Sequence, residues 1–387
     1  MITKAIITDF PKEKLKLLFL EADQILIIQP PRLGLSIMTE NFTMAVKKAI
    51  SSFSNTKTPE LILCTAFPEI FQNDPNFDSI ITHEKYREFL EERKLSKRNL
   101  LVIDLTNDDH NKFLFEYDRM LKWPVKQRPY YSQINFHWQN LPIGKGEENT
   151  ISSRYLILLE QIFEKTLFVK PRFPKVYLPT NFEEKYKKIV SHYNLIPEKC
   201  REVSILYLTD NSLKKIQDDW IQSFIEKLTK KKHNLEINIV LHPTDINIKK
   251  EWVGKLREKI LKKQGFSLWR KKKLNFVDFN LSDLMVFMSK QQLTIGVNSG
   301  VLHLANALST KTISLQGPKS RHFISNYRWD NPIYPVSDNC PYLNKTNTWK
   351  GKGFLTPCYY EGKCKKKRNC ISAISIDKVL EKAFEIL

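Results

Sequence analysis

Short apolar runs rich in β-branched residues alternate with stretches of helical periodicity through almost the whole chain, and this alternation leaves few folds open. Ile25-Leu26-Ile27-Ile28 is apolar at every position, as a strand must be when helices cover both faces of its sheet. Parallel strands need long crossovers, and the helix-period segments between the runs supply them. The expected class is therefore α/β, with parallel sheets flanked by helices. At 387 residues the chain is long enough for two cores rather than one.

Residues 25–28 read as a strand, 29–34 as a turn and 37–50 as the returning helix, with further strands at 61–64, 79–82 and 100–104. Residues 117–138 hold Trp123, Arg128, Tyr130, Tyr131, His137 and Trp138 with two prolines, a poor recipe for regular structure, and predict a surface loop that contacts a partner. A helix at 153–166 precedes a segment stiffened by Pro171, Pro174 and Pro179. That places an N-terminal domain at 1–170, a Pro-rich linker at 171–179 and a C-terminal domain at 180–387. The second half repeats the alternation: strands at 203–208, 237–241, 275–278, 293–297 and 312–315, and helices at 213–229, 249–263, 281–290 and 300–307. A last helix, 376–386, has Ser375 as its N-cap and Asp377 in its first turn, where a carboxylate complements the helix dipole.

A formal net charge of +20 and a pI near 9.5 point to an anionic partner: nucleic acid, a phosphorylated glycolipid or an acidic membrane surface. The basic residues are spread over several runs and form no single arm. Met1-Ile2-Thr3-Lys4 begins no secretion signal, and no apolar run reaches the ~18 residues of a spanning helix, so a cytoplasmic protein is expected, with peripheral contact at the inner face of a bacterial inner membrane. There is no Gly-x-x-x-x-Gly-Lys-Ser/Thr loop, no His-Glu-x-x-His and no Gly-x-Ser-x-Gly, which removes the common nucleotide hydrolases, zinc proteases and serine hydrolases. The acid pairs Asp108-Asp109 and Asp218-Asp219 lie in a loop and at a helix start, which favours a metal-independent reaction.

The most informative segment runs from Leu293 through Asn298, Ser299, Gly300 and His303 to Leu308, followed by Gln316-Gly317-Pro318. A strand ends, small polar residues turn, and a helix begins. The free N–H groups and positive end of such a helix can hold a diphosphate, and glycine lets the backbone approach it closely. His303, one turn in, can add a donor. A lone histidine in a helix–sheet seam is more often structural, but the turn before it favours a binding role.

This segment resembles glycosyltransferase family 9, the ADP-heptose:lipopolysaccharide heptosyltransferases, at Ser299, Gly300, His303, Leu304, Ala305, Ala307, Leu308, Gly317 and Pro318. The family has an aspartate where this chain has Asn298. A second match runs through Thr209, Asp210, Asn211 and Ser212 to Lys214 and Lys215 ahead of Trp220, and implies that Lys214, with Lys215 beside it, serves the donor's phosphates. The opening unit, 25–34, resembles the family's strand and Gly-Asp turn. Gly34 is kept, but Leu35 stands where the family's presumed base, an aspartate, is found. Leucine cannot take a proton, so Glu40, the nearest acid in sequence, is the tentative base, and Arg32 can meet an acceptor phosphate or carboxylate.

The resemblance implies a GT-B fold, two Rossmann-like domains facing each other across a cleft, with the acceptor on the first and the nucleotide sugar on the second. It implies a metal-independent, inverting transfer of heptose from ADP-heptose to an anionic lipopolysaccharide inner-core acceptor. Thr209, Asp210, Lys214, Lys215, Asn298, Ser299, Gly300 and His303 would bind the donor, Lys214 and His303 would also act in catalysis, and Arg32 and Gly34 would meet the acceptor. No cofactor is expected for catalysis and no nucleic acid as partner. Cys340, Cys358, Cys364 and Cys370, spaced 18, 6 and 6 apart, could close around a structural zinc or iron, or remain reduced thiols. Because Leu35 and Asn298 replace acids, the alternatives are a related transferase with another sugar or acceptor, or a basic protein that binds nucleic acid or anionic membrane.

Overall fold

The computed structural model describes residues 5–6, 12–53, 58–93, 98–106, 131–135, 151–164, 173–196, 201–206, 214, 216–231, 234–241, 254–255, 258, 274–317, 328–335 and 370–387. These fall into two compact units, which part between Tyr177 and Leu178.

Unit 1 contains β1 (Ala5–Ile6), α1 (Lys12–Glu21), β2 (Gln24–Ile28), α2 (Leu33–Met38), α3 (Glu40–Phe53), β3 (Glu60–Thr65), α4 (Pro68–Phe71), β4 (Ser79–Thr82), α5 (Tyr86–Arg93), β5 (Leu100–Asp104), β6 (Tyr131–Asn135) and α6 (Ile151–Phe163). Its strands lie in the order β1-β6-β5-β2-β3-β4, and every pair is parallel. The central strands β2 and β5 are buried at every residue, which is why they read as unbroken apolar runs.

Two expectations for this unit are corrected. The helix after β2 begins at Leu33, four residues early, so Gly34 and Leu35 are helical, and it stops at Met38 before α3 starts at Glu40. Thr39 marks the break: its hydroxyl donates to the Ser36 carbonyl at 2.8 Å, competing with regular helix bonding. Within the stretch expected to be irregular, Tyr131–Asn135 forms β6 between β5 and β1, pairing Ile134 with Ile103 and with Ala5. Tyr131 and Ile134, residue types that strands favour, suit a strand better than the nearby prolines suggest.

Unit 2 contains α7 (Phe182–Tyr193), β7 (Arg201–Leu206), α8 (Asp218–Lys231), β8 (Leu235–Leu241), β9 (Leu274–Asp278), α9 (Leu281–Lys290), β10 (Leu293–Val297), α10 (Gly300–Ala307), β11 (Thr312–Leu315), β12 (Asp330–Ile333) and α11 (Ile376–Ile386). The order is β12-β11-β10-β7-β8-β9, again parallel throughout. Read from β9, strands three, two and one of the unit are followed by four, five and six, the doubly wound order, whose direction reverses between β7 and β10.

Helix α8 begins at Asp218, not at 213, and buries Trp220, Ile221, Phe224, Ile225 and Leu228 as a helical stripe against the sheet. Trp220 stacks on Phe224, and its indole N–H donates to the Ile374 carbonyl at 2.9 Å, tying α8 to the segment before α11. Edge strand β12 carries Pro332. Thr312 N–H and Gln316 N–H bond the carbonyls of Trp329 and Ile333, so with a period of two Pro332 faces away from β11. The helix expected at 249–263 lies outside the described residues apart from 254, 255 and 258. Among the described residues no helix is long and apolar enough to cross a membrane.

Candidate functional site

In a doubly wound sheet, ligands bind outside the carboxyl ends of the strands where the order reverses. In unit 2 that point lies between β7 and β10, which pair directly, Gly296 opposite Leu206. The approach there is close: a Cβ on Gly296 would lie 2.7 Å from the Leu206 Cβ. Glycine therefore sets the spacing of the two strands near their carboxyl ends.

Beyond the end of β10, Asn298 is buried and Ser299 takes the extended conformation of an N-cap, with φ −140° and ψ 166°. The Ser299 side chain makes no capping hydrogen bond. Helix α10 follows at Gly300 with the dipole of its N-terminus directed at the turn. The backbone N–H of His303 donates to the Ser299 carbonyl at 3.1 Å, closing the first turn, and the His303 side chain is 7% exposed.

From beyond the other strand of the pair comes Lys214. Its ammonium donates to the Asn298 carbonyl at 2.8 Å, and the residue is only 9% exposed. A lysine and a turn 84 residues apart in sequence thus meet at the reversal point. The structure brings together Lys214, Asn298, Ser299, Gly300 and His303 there. Thr209, Asp210, Lys215 and Pro318 lie outside the described residues.

Behind this turn, α10, β11 and β12 are pinned by a polar network that sequence reading missed. Asn306 donates to the Thr312 hydroxyl at 2.9 Å, and the Thr312 and Ser314 hydroxyls donate to the two oxygens of Asp330, each at 2.7 Å. Burial pushes the Asp330 carboxyl above its ordinary range, against the pull of those hydroxyls. Asp330-Asn331-Pro332 reads as a turn in sequence, which hid its role.

In unit 1 the turn after β2 is knit by its own polar groups. Ser36 Oγ donates to the Pro30 carbonyl at 2.6 Å, and Gln29 Nε2 to the Ser36 carbonyl at 3.1 Å. Arg32 is exposed at the N-cap of α2, and Gly34 lies in that helix's first turn. Glu40 is 1% exposed, and its Oε2 accepts from the backbone N–H of Lys175 at 3.1 Å. It is not a solvent-facing helix glutamate.

Two further polar groups stand at the carboxyl ends of these strands and were not singled out in the sequence. Asp104, ending β5, accepts from the N–H and hydroxyl of Thr106 at 2.8 and 2.6 Å. His83, following β4, lies against the carbonyls of Gln29 and Cys64. Burial pushes its imidazole below the ordinary range, and those carbonyls and Glu84 pull the other way.

Of the four clustered cysteines only Cys370 is described, half-buried before α11; Cys340, Cys358 and Cys364 lie outside the described residues. Among the described residues no group of three or more His, Cys, Asp or Glu side chains is placed to hold a metal ion.

The fold is shared with solved glycosyltransferases. A family 9 glycosyltransferase from Veillonella parvula superposes with a TM-score of 0.67 at 13% identity, covering 94% of this chain and 97% of that one. The E. coli ADP-heptose lps heptosyltransferase II gives 0.61 at 12% identity, over 94% and 98%. E. coli heptosyltransferase WaaC, solved with ADP-2-deoxy-2-fluoro heptose, gives 0.55 at 12% identity, over 94% and 100%. No curated protein matches by sequence. Residues 207–361, which include the turn from Asn298 to His303, match the family described as glycosyltransferase family 9 (heptosyltransferase). That match, over less than half of the chain, and a fold common to these enzymes make residues 207–361 similar to glycosyltransferase family 9.

Proposed function

We propose that the chain transfers heptose from ADP-heptose to an anionic acceptor of the lipopolysaccharide inner core, with inversion and without a catalytic metal. The observation that carries this reading is the ammonium of Lys214 held on the Asn298 carbonyl beside the N-terminus of α10. A fixed cation and a helix end at one reversal point form a site for a diphosphate. The family match and the ADP-sugar bound to the E. coli relative support ADP-heptose as the donor.

In the reaction the acceptor hydroxyl oxygen forms a bond to the anomeric carbon as the bond from that carbon to the diphosphate oxygen breaks. The departing ADP takes the electron pair, and its growing charge is met by Lys214, the N–H groups at Ser299 and Gly300, and His303. Thr209, Asp210 and Lys215 complete the donor site in this proposal. Arg32 and Gly34 belong to the acceptor side. Glu40 is the proposed base, its carboxylate oriented by the Lys175 N–H on Oε2. A charge of +20 suits an acceptor bearing phosphates and carboxylates, reached from the cytoplasm at the membrane surface. Cys340, Cys358, Cys364 and Cys370 are proposed as thiol ligands of a structural zinc or iron only.

Thermal stabilisation by ADP-, GDP-, UDP- and CMP-sugars, with Lys214→Ala and His303→Ala alongside, tests the donor assignment, because a ligand raises the stability of the state it binds. An ADP-sugar should shift the wild type and leave both variants unmoved. A shift by another nucleotide sugar alone, or by none, ends the ADP-heptose reading. Glu40→Gln should then lower kcat at least a hundredfold, on the order of what a general base contributes, with donor stabilisation intact.

A further inference from the structure

The opposite, amino-terminal edge of the unit 2 sheet holds a cavity of about 400 Å³, within the range of small-ligand sites. Arg201, the first residue of β7, and Lys311, just before β11, stand at it, with Gln292, Ser309, Ile386 and Leu387 among the other lining residues. No Asp or Glu side chain lines it. Among the described residues Arg201 and Lys311 have no ion-pair partner, unlike Lys185, Lys227 and Lys290 in the same unit, each of which meets a carboxylate within 3.1 Å.

Ser309 is placed by a strained turn. It has φ 67°, a left-handed conformation unusual for a side chain other than Gly or Asn. The N–H groups of Ser309 and Thr310 close the end of α10 on the carbonyls of Asn306 and Ala305, at 2.9 and 3.0 Å. That closure carries the chain from the donor-side helix straight to Lys311.

We infer that this cavity binds a phosphate group, held by the Arg201 guanidinium and the Lys311 ammonium with Ser309 and Gln292 as further donors, and with the rest of the ligand against Ile386 and Leu387. Two cations against the single terminal carboxylate of Leu387 leave the lining net positive, and with the neutral donors they suit the acceptor oxygens of a phosphate monoester, which the Arg fork can meet in bidentate fashion. The site is distinct from the turn at Asn298, from which it is separated by the length of the β10 strand, and it does not depend on the donor assignment.

The phosphate could belong to a soluble metabolite or to a lipid headgroup, and two arms separate them. Inorganic phosphate, the probe in solution, is titrated into the full chain by calorimetry; flotation with phosphatidylcholine vesicles, with and without phosphatidic acid, is the second arm. Wild type and His303→Ala should behave alike, whereas Arg201→Gln combined with Lys311→Gln should weaken phosphate binding by at least about tenfold, or abolish flotation with phosphatidic acid vesicles. Loss of flotation without binding of free phosphate assigns the lipid source; binding of free phosphate without flotation assigns the soluble one. No binding in either arm, or binding that the double variant leaves unchanged, overturns the inference. Both substituted side chains are exposed, so the variant should keep the wild-type melting temperature in phosphate-free buffer.

Discussion

Lys214 and Gly296 show how single residues make the candidate site. Lys214 brings charge to the turn after β10, and its ammonium is positioned by a backbone carbonyl, which no side-chain substitution at Asn298 would remove. An aspartate side chain at that position is thus not needed to hold the lysine here. Gly296 acts by what it lacks. A methyl at this position would collide with the base of the Leu206 side chain, not with a flexible tip, so β7 and β10 would have to part. Gly296→Ala should therefore destabilise the protein by about 1–3 kcal/mol, the usual cost of overpacking, read as a lower urea midpoint at unchanged slope. It should also weaken ADP-sugar binding, because the turn at Asn298 springs from β10, and Lys214, which follows β7 in the chain, meets that turn.

Among the elements, β7, β8 and α7 share a buried polar layer with a pH signature. Glu202 and Glu236 are register partners on adjacent strands, and both are buried. The Tyr186 hydroxyl on α7 donates to Glu202 at 2.8 Å, the Ile196 N–H donates to Glu236 at 3.1 Å, and Asn275 on β9 donates to Glu236 at 2.8 Å. Burial pushes the Glu202 carboxyl from its ordinary 4.5 up to about 7; Glu236 adds to the rise and Tyr186 opposes it. The folded state therefore holds this proton more tightly than the unfolded chain. Its contribution is fully present below pH 4.5 and is lost as the pH rises to about 7, a change of roughly 3 kcal/mol. Urea midpoints at pH 5 and pH 8 should differ in that sense for the wild type, and the difference should shrink in Glu202→Gln.

These cases also show what the sequence can reveal about elements. β2, β5 and β10 were legible because burial on both faces leaves each strand mostly apolar. The turn from Asn298 to Gly300 was legible because strand, small polar residues and helix follow one another without a gap. β6 was obscured by neighbouring prolines and aromatics, although its pairing with β5 and β1 decides the matter. The contact between Lys214 and Asn298 follows from strand order, which no local pattern encodes. Glu202 and Glu236 alternate with apolar residues and so read as an exposed face; Tyr186 of α7, Ile196 and Asn275, which meet them in the fold, are invisible in that local pattern.

For the molecule as a whole, each unit has its own parallel sheet and its own helices, and the proposed donor site lies entirely in unit 2. A donor nucleotide should protect one unit more than the other. Peptide-resolved hydrogen exchange with saturating ADP should slow exchange in 293–317 and 201–206 and leave β2, β3 and β5 near their ligand-free rates. Equal protection in both sheets would contradict a donor site confined to unit 2. A positive charge of +20 should also make capture of an anionic acceptor sensitive to ionic strength, since exposed charges are screened within about 8 Å at physiological salt.

Pro332 bears on how the protein behaves in a crowded solution. The last strand of an all-parallel sheet offers unpaired backbone groups to a passing strand, and among the described residues β12 is such an edge. At the outward-facing position of that strand, proline removes the donor that a second chain would need and fixes the backbone away from further pairing. At that edge the sequence thus carries its own stop to sheet growth, set by one residue on the outward side of a four-residue strand.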